Sequence, residues 1–242
     1  MILCLDSGNS RIKFGLWGDG RWLHEGALDH ADCADLARLT TDWPMPARIM
    51  LANVAGAAAE QAIRQALGGW STKLTVITST AAAGGVRNGY RNPGQLGVDR
   101  WCALIGARSL HPGALLVVMA GTATTVDSLD ASGHFLGGLI LPGQQLMLSA
   151  LARNTAALPF ATGQRQDWPQ STDDAIVSGA IEAQVGAIER AWARLPGAER
   201  VCLISGGNAA LLKKHLVIPC RQADNLPLLG LKVLADETSP ES

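Results

Sequence analysis

Asp6-Ser7-Gly8-Asn9-Ser10-Arg11-Ile12-Lys13 joins two strand-like segments near the start of the chain. Residues 2–5 are an apolar run, and residues 11–17 (Arg-Ile-Lys-Phe-Gly-Leu-Trp) alternate polar with apolar as a half-buried strand does. Gly18-Asp19-Gly20 forms a second turn and Arg21-Trp22-Leu23-His24 a third strand, so the chain opens as a β-meander. The pattern returns at Leu115: an apolar run to Val118, a turn over Gly121-Thr122-Ala123-Thr124-Thr125, a second turn at Ser132-Gly133, then His134-Phe135-Leu136. Gly8 and Gly121 are 113 positions apart, as are Gly20 and Gly133, Trp22 and Phe135, and Leu23 and Leu136. A repeat that keeps both turns and the third strand predicts two domains of one topology.

Around the meanders, alanine-rich segments at 32–40 and 57–68 read as helices, and Arg48–Val54 and Lys73–Thr78 as strands. A helix over Arg100–Leu110 is closed by His111-Pro112-Gly113. After the second meander come helices at 144–154 and 173–194, a strand over Arg200–Ile204, the turn Ser205-Gly206-Gly207-Asn208 and a further helix. This order predicts an α/β protein with domains at 1–113 and 114–236, a frayed tail at 237–242, and a ligand cleft between the two halves.

Of the 242 residues, 48% are hydrophobic and 17% charged, enough apolar material for a sizeable core. The net charge of −1 gives no reason to expect a nucleic acid or an anionic membrane as partner. Cys4, Cys33, Cys102, Cys202 and Cys220 contain no C-x-x-C pair and lie mostly in apolar runs, as in a reduced cytoplasmic protein. The N-terminus reaches Asp6 too soon for a signal peptide, and no apolar run approaches the roughly 18–20 residues that span a bilayer.

The first hairpin carries the residue types that hold a nucleotide's phosphates. Glycine lets the backbone come close to an anion, and successive amides of such a turn form an anion-binding concavity. Asn9 and Ser10 add donors, Lys13 adds charge, and Asp6 is placed to hold Mg²⁺ directly or through water. The competing reading is an ordinary hairpin whose Gly-Asn turn needs only positive φ. The P-loop and the G-x-G-x-x-G dinucleotide fingerprint are both missing from the sequence. In Tyr90-Arg-Asn-Pro-Gly-Gln-Leu96-Gly97-Val98-Asp99-Arg100, Asp99 is a candidate general base for an acceptor hydroxyl, and Arg100 a clamp for an anionic group. Asp99 is equally what a helix N-cap looks like. Gly206 and Gly207 either serve a tight turn or let an adenosine lie against backbone.

Together these segments resemble the type III pantothenate kinases, also called the Bvg accessory factor family, within the acetate and sugar kinase/Hsc70/actin superfamily. The first hairpin is similar to that family's D-x-G-N-[ST]-x-x-[KR], and Tyr90 with Leu96–Arg100 to its Y…L-G-x-D-R. Gly121-Thr122-Ala123 with Asp127 resembles G-T-A-x-T-x-D, and Gly137–Gly143 resembles G-G-x-I-x-P-G. Leu158-Pro159, Thr172 with Ser178-Gly179, Ser205-Gly206-Gly207 and Leu229-Gly230-Leu231 follow in the family's order. The resemblance implies two actin-like (ribonuclease H-like) domains with a nucleotide cleft between them. It implies ATP-dependent phosphorylation of pantothenate to 4′-phosphopantothenate by a homodimer using Mg²⁺. Asp6, Ser7, Gly8, Asn9, Ser10, Arg11, Ile12, Lys13 and Thr122 would then contact ATP. Asp99 would take the proton of the acceptor hydroxyl. Tyr90, Gly97, Val98 and Arg100 would line the pantothenate pocket, with Thr172 reaching in from the neighbouring subunit.

One position departs from the family. Where it usually has an Asp that binds an activating monovalent cation (K⁺ or NH₄⁺), two residues before the second hairpin glycine, this chain has Met119. A thioether is a poor ligand for such hard-oxygen-seeking ions, so weak K⁺ dependence is expected. Two other readings stand beside pantothenate kinase: another small-molecule kinase or phosphatase on the same fold, and a non-enzymatic transcription accessory factor.

Overall fold

The computed structural model describes residues 1–156, 158 and 160–237. Pro159 of the Leu158-Pro159 motif and residues 238–242 of the expected tail lie outside the described residues. Two compact units divide the chain: Met1–Pro112 with the segment from Asn225 onward, and Gly113–Asp224.

In the first unit, β1 (Ile2–Ser7), β2 (Arg11–Gly18) and β3 (Arg21–Asp29) form the expected antiparallel meander, with β3 running five residues past His24. β4 (Arg48–Asn53) and β5 (Leu74–Val76) add on parallel, giving the order β3-β2-β1-β4-β5. The helix expected at 32–40 starts as a 3₁₀ segment over His30–Leu36 and continues as α1 (Ala37–Asp42). Strand alternation sorts the side chains. Leu3, Leu5, Ile12, Phe14, Ile49 and Leu51 point to one face, where they pack with Leu36 and with Ile63 and Leu67 of α2 (Ala57–Leu67). That face is a closed apolar core. Asp6 and Lys13, register partners across β1 and β2, point to the other face.

The other face is covered by α3 (Val98–Leu110) and α7 (Leu226–Glu237), the last helix of the chain. A small hairpin, β6 (Ala82–Ala83) with β7 (Val86–Arg87), precedes α3. The sequence reading placed residues up to 236 in the second domain; α7 instead belongs to the first unit. The reason is backbone packing. A side chain at Gly230 would overlap the carbonyl of Cys102, and one at Gly106 would overlap that of Leu226, so the two glycines let α3 and α7 meet directly. Leu229-Gly230-Leu231 is thus a packing motif.

The second unit repeats the plan. β8 (Leu115–Ala120), β9 (Ala123–Leu129) and β10 (Phe135–Pro142) form the meander, β11 (Val201–Ser205) and β12 (Cys220–Gln222) add on parallel, and the order is β10-β9-β8-β11-β12. The first-hairpin turn of this meander is shorter than expected, since β9 already begins at Ala123. Leu116, Val118, Val126, Cys202 and Ile204 pack under α4 (Gln144–Asn154), α5 (Thr172–Arg194) and α6 (Ala209–Lys213). On that face Thr124 Oγ1 donates to Gln184 Oε1 at 2.6 Å, and Gln184 Nε2 donates to the Ala180 carbonyl at 2.9 Å, so the buried polar pair is satisfied. No helix among the described residues is long and apolar enough to cross a membrane.

Candidate active site

The first hairpin places Asp6 and Ser7 at the buried end of β1, Gly8 half-buried, Asn9, Ser10 and Arg11 exposed, Ile12 in the core and Lys13 half-buried beside Asp6. The turn is closed by the Gly8 amide donating to the Arg11 carbonyl at 3.0 Å. His30 Nε2 lies 2.7 Å from the Gly8 carbonyl, and the exposed Arg11 Nε donates to Asp29 Oδ1 at 2.9 Å. Neither His30 nor Asp29 stood out in the sequence, because each is about twenty residues away along the chain.

Gly8 settles a point left open above. Its φ is not positive, and a Cβ there would sit an ordinary 3.5 Å from the Arg11 carbonyl. The ordinary-hairpin explanation, a turn needing positive φ, therefore does not account for this glycine. Gly121 behaves alike, with no positive φ and 3.6 Å to the Ala123 carbonyl. Gly206 differs: its φ is +103°, and a side chain would overlap the Ala120 backbone, so the turn itself explains that residue. At Gly207 a Cβ would meet nothing, and the space beside it stays open. Beside the first turn a cavity of about 320 Å³ is lined by Asn9, His30, Ala55, Ala58, Ala59 and Ala62.

Burial, then the like charge of Asp99, push the Asp6 carboxyl up to about 7, against the opposing pull of Lys13. Asp99 is thus close enough to Asp6 for its charge to be felt, so the first hairpin and the start of α3 come near each other inside the first unit.

Asp99 is not the helix N-cap. α3 begins two residues earlier than expected, Gly97 occupies the cap position with no side-chain cap bond, and Asp99 lies in the first turn. Its half-buried carboxylate accepts from the Arg100 amide at 2.8 Å. Arg100 is 4% exposed, its Nη1 donates to the Tyr90 hydroxyl at 2.9 Å, and its guanidinium lies 5.8 Å from the centre of the Tyr90 ring. Val98 is buried and Gly97 half-buried at the same helix start.

The loop before α3 is held by side chains that the motif does not include. Asn88 Nδ2 donates to the carbonyls of Thr80 and Pro93, each at 3.1 Å, while its Oδ1 accepts from the Tyr90 amide at 3.0 Å. Asn92 Oδ1 accepts from the Gly94 amide, and Ser79 Oγ donates to the Leu96 carbonyl at 2.7 Å. These bonds fix where Tyr90 and the helix start lie. A run such as Asn-x-Tyr-x-Asn-Pro-Gly is a sequence signal for Asx turns, and it marks this loop in retrospect.

In the second unit Thr122 is exposed on the hairpin, and Met119 stands in register between Thr125 of β9 and Ser205 of β11. The hydroxyls of Thr125 and Ser205 are buried and have no hydrogen-bond partner among the described residues, as is the case for Ser7 at the end of β1. Thr172 is the exposed first residue of α5, whose N-cap Ser171 Oγ accepts from the Asp174 amide. It lies on the lip of an apolar cavity of about 650 Å³ lined by Met147, Leu151, Leu158, Ile176 and Gly179, among others. Ser178 of the Ser178-Gly179 motif has a structural task, since its Oγ accepts from the Gln166 amide at 3.0 Å.

The family model for type III pantothenate kinase matches residues 2–194. A type III pantothenate kinase of Dechloromonas aromatica is 54% identical over 235 residues, covering 97% of this chain and 99% of the relative. One from Aromatoleum aromaticum is 54% identical over 240 residues, covering 98% of each. Among solved structures, component A of the (R)-2-hydroxyglutaryl-CoA dehydratase of Acidaminococcus fermentans superposes with a TM-score of 0.58 at 12% identity, covering 98% of this chain and 99% of that one. MreB 5 of Spiroplasma citri, bound to AMPPNP, gives 0.50 at 11%, covering 98% and 96%. These likenesses bear out the expected fold class, two α/β domains of the actin-like type.

Proposed function

The chain belongs to the type III pantothenate kinase family, phosphotransferases of coenzyme A biosynthesis, and we propose how its residues divide the transfer of phosphate from ATP to pantothenate. The observation that carries the proposal is a turn glycine that the fold does not itself require, next to a buried Asp6 carboxyl that feels the charge of Asp99.

Phosphoryl transfer needs little covalent work from the protein; it needs the nucleotide held and the acceptor hydroxyl aimed at the γ-phosphate. The amides of Gly8, Asn9 and Ser10 approach the phosphates, with Ser7, Arg11 and Ile12 shaping the turn and Lys13 supplying positive charge. Thr122 has the corresponding role on the second hairpin. Asp6, a hard oxygen donor, would hold an Mg²⁺ brought with the nucleotide, which would neutralise phosphate charge. Asp99 accepts the proton of the primary hydroxyl of pantothenate. Arg100, oriented by Tyr90, faces its carboxylate, and Gly97 and Val98 form the floor of the pocket.

Met119 does not fit a carboxylate-held K⁺ or NH₄⁺, for the thioether is soft and its register partners Thr125 and Ser205 carry hydroxyls in place of a carboxylate. We therefore propose that the transfer depends only weakly on K⁺ or NH₄⁺.

The second unit exposes Ile140 of β10 and Leu146 and Leu151 of α4, and Leu151 lines the apolar cavity that has Thr172 on its lip. Exposed apolar side chains of this kind support a homodimer that buries them, with Thr172 lying toward the partner's pantothenate. ATP as co-substrate and five unbridged cysteines support a cytoplasmic location.

A coupled assay that follows ADP release tests the reading with ATP, Mg²⁺ and a panel of pantothenate, sugars and acetate. Turnover with pantothenate alone is expected; preference for another acceptor overturns it.

A further inference from the structure

Cys202 of β11 and Cys220 of β12 are register partners in the parallel pair that closes the second sheet. Their Sγ atoms lie 3.3 Å apart in a thiol–thiol hydrogen bond. Paired strands run about 4.7–4.9 Å apart, inside the roughly 4.4–6.8 Å Cα separation that a disulfide spans, so strand pairing itself brings the two residues within bonding range. The side chains share a face: Cys202 is part of the core formed with Ile204, Ala209 and Leu212, and Cys220 packs against that core from the edge strand.

Their surroundings differ in a way that separates two roles. Cys202 is fully buried, whereas Cys220 is only half-buried and feels the positive charge of Lys213 on α6. The hydrogen bond shared with Cys202, then the Lys213 charge, hold the Cys220 thiol below its usual range against the opposing effect of burial; the same hydrogen bond and burial hold Cys202 above its own. Cys4, Cys33 and Cys102 are buried thiols raised by desolvation.

We propose that Cys220 and Cys202 form a reversible dithiol–disulfide couple, a modification site in which Cys220 reacts with a hydroperoxide and Cys202 resolves the product. The Cys220 thiolate attacks one oxygen of hydrogen peroxide, the O–O bond breaks, and Cys220 becomes a sulfenic acid while the other oxygen leaves as hydroxide and takes up the proton that the Cys220 thiol released on ionising. Cys202 sulfur then attacks the Cys220 sulfur, the S–O bond breaks, and water leaves with the Cys202 proton. Two thiols have lost two electrons, and the peroxide has been reduced to two waters. A small thiol returns the pair by exchange. The cross-link would tie β12, an edge strand of three residues, to β11 three residues before Ser205, where the strand enters the Gly206-Gly207 turn.

The test treats the full-length protein with hydrogen peroxide, alkylates the remaining thiols, and maps the digest by mass spectrometry without reduction. The expected product is a peptide pair joined through Cys202 and Cys220 that dithiothreitol separates. Cys202→Ser is expected to leave a sulfenic acid on Cys220 that a cyclic 1,3-dione captures. Cys220→Ser, a change on a half-exposed edge strand, is expected to leave Cys202 reduced. Before oxidation, Cys220 should alkylate roughly tenfold faster than the buried thiols. Recovery of Cys220 as a free thiol after peroxide treatment, or a cross-link through Cys33 instead, overturns the proposal.

Discussion

Met119 and Thr125 are register partners across β8 and β9, at the place that Asp6 and Lys13 hold across β1 and β2. The duplicated fold therefore presents the same two sheet positions twice, once as an acid with a base and once as a thioether with a hydroxyl. On the parallel neighbour the corresponding residues are Ala52 beside Asp6 and Ser205 beside Met119. At these two paired positions the charge sits on the first sheet.

The wild-type rate should change less than about twofold when K⁺ is replaced by a bulky organic cation, because Met119 offers no hard oxygen. Met119→Asp should make the rate rise with K⁺, since it places a carboxylate between the Thr125 and Ser205 hydroxyls. The coupled assay run in the two salts reads both; a wild-type rate that collapses without K⁺ would contradict the assignment.

Asp6→Asn should stabilise the ligand-free protein while lowering kcat. Burial leads the shift that raises this carboxyl from 3.8 to about 7, so the folded state holds its proton more tightly than the unfolded state does. For a raised acid, stability present at low pH is lost as pH climbs from about 4 through about 7. The amide carries no such penalty. Its advantage should reach roughly 1–3 kcal/mol above about pH 7 and vanish near about pH 4, as read by thermal melts without Mg²⁺ at a series of pH values.

Asp99→Asn should reduce kcat by roughly 10²–10⁴-fold, the usual contribution of a positioned general base. Since Gly97 and not Asp99 occupies the cap of α3, the melting temperature should move little. Near-normal turnover would remove Asp99 from the chemistry.

Gly8→Ala separates the two reasons for keeping a glycine. The fold has room for a methyl at this turn, so the stability change should stay within about 1 kcal/mol while KM for ATP rises. Gly230→Ala, which drives a methyl into the Cys102 carbonyl, should instead cost more than about 2 kcal/mol, as forced overpacking does. Denaturant melts alongside ATP titrations distinguish the pair.

Ile140→Asp, at a side chain 64% exposed on β10, should dissociate the homodimer without unfolding the subunit. Sedimentation analysis at micromolar protein checks this; a wild-type chain that sediments as a monomer would remove the dimer and the role of Thr172 with it.

Much of the site was legible because its parts are local. Asp6, Gly8 and Lys13 fall within eight consecutive residues, and Tyr90 to Arg100 within eleven, so spacing alone brought each set together. What escaped is what distant residues supply. His30 against the Gly8 carbonyl and the Asn88 clamp on the acceptor loop have no reading until the chain is folded. The alternatives for Asp99 separated only when the helix start was located two residues earlier. α7 was misplaced because its apolar sequence says that it is buried and not against which sheet.

From the sequence alone came the two meanders, the glycine turn proposed to hold phosphate, and the methionine at position 119. Period-two alternation and glycine turns are short-range properties that each segment expresses by itself. Tertiary structure alone decided that α7 completes the first unit, that Asp6 is held near neutrality, that Met119 lies between two unpartnered hydroxyls, and that Cys202 meets Cys220. Each of these depends on which surfaces exclude water from one another, and that is a property of packing between segments far apart in the chain.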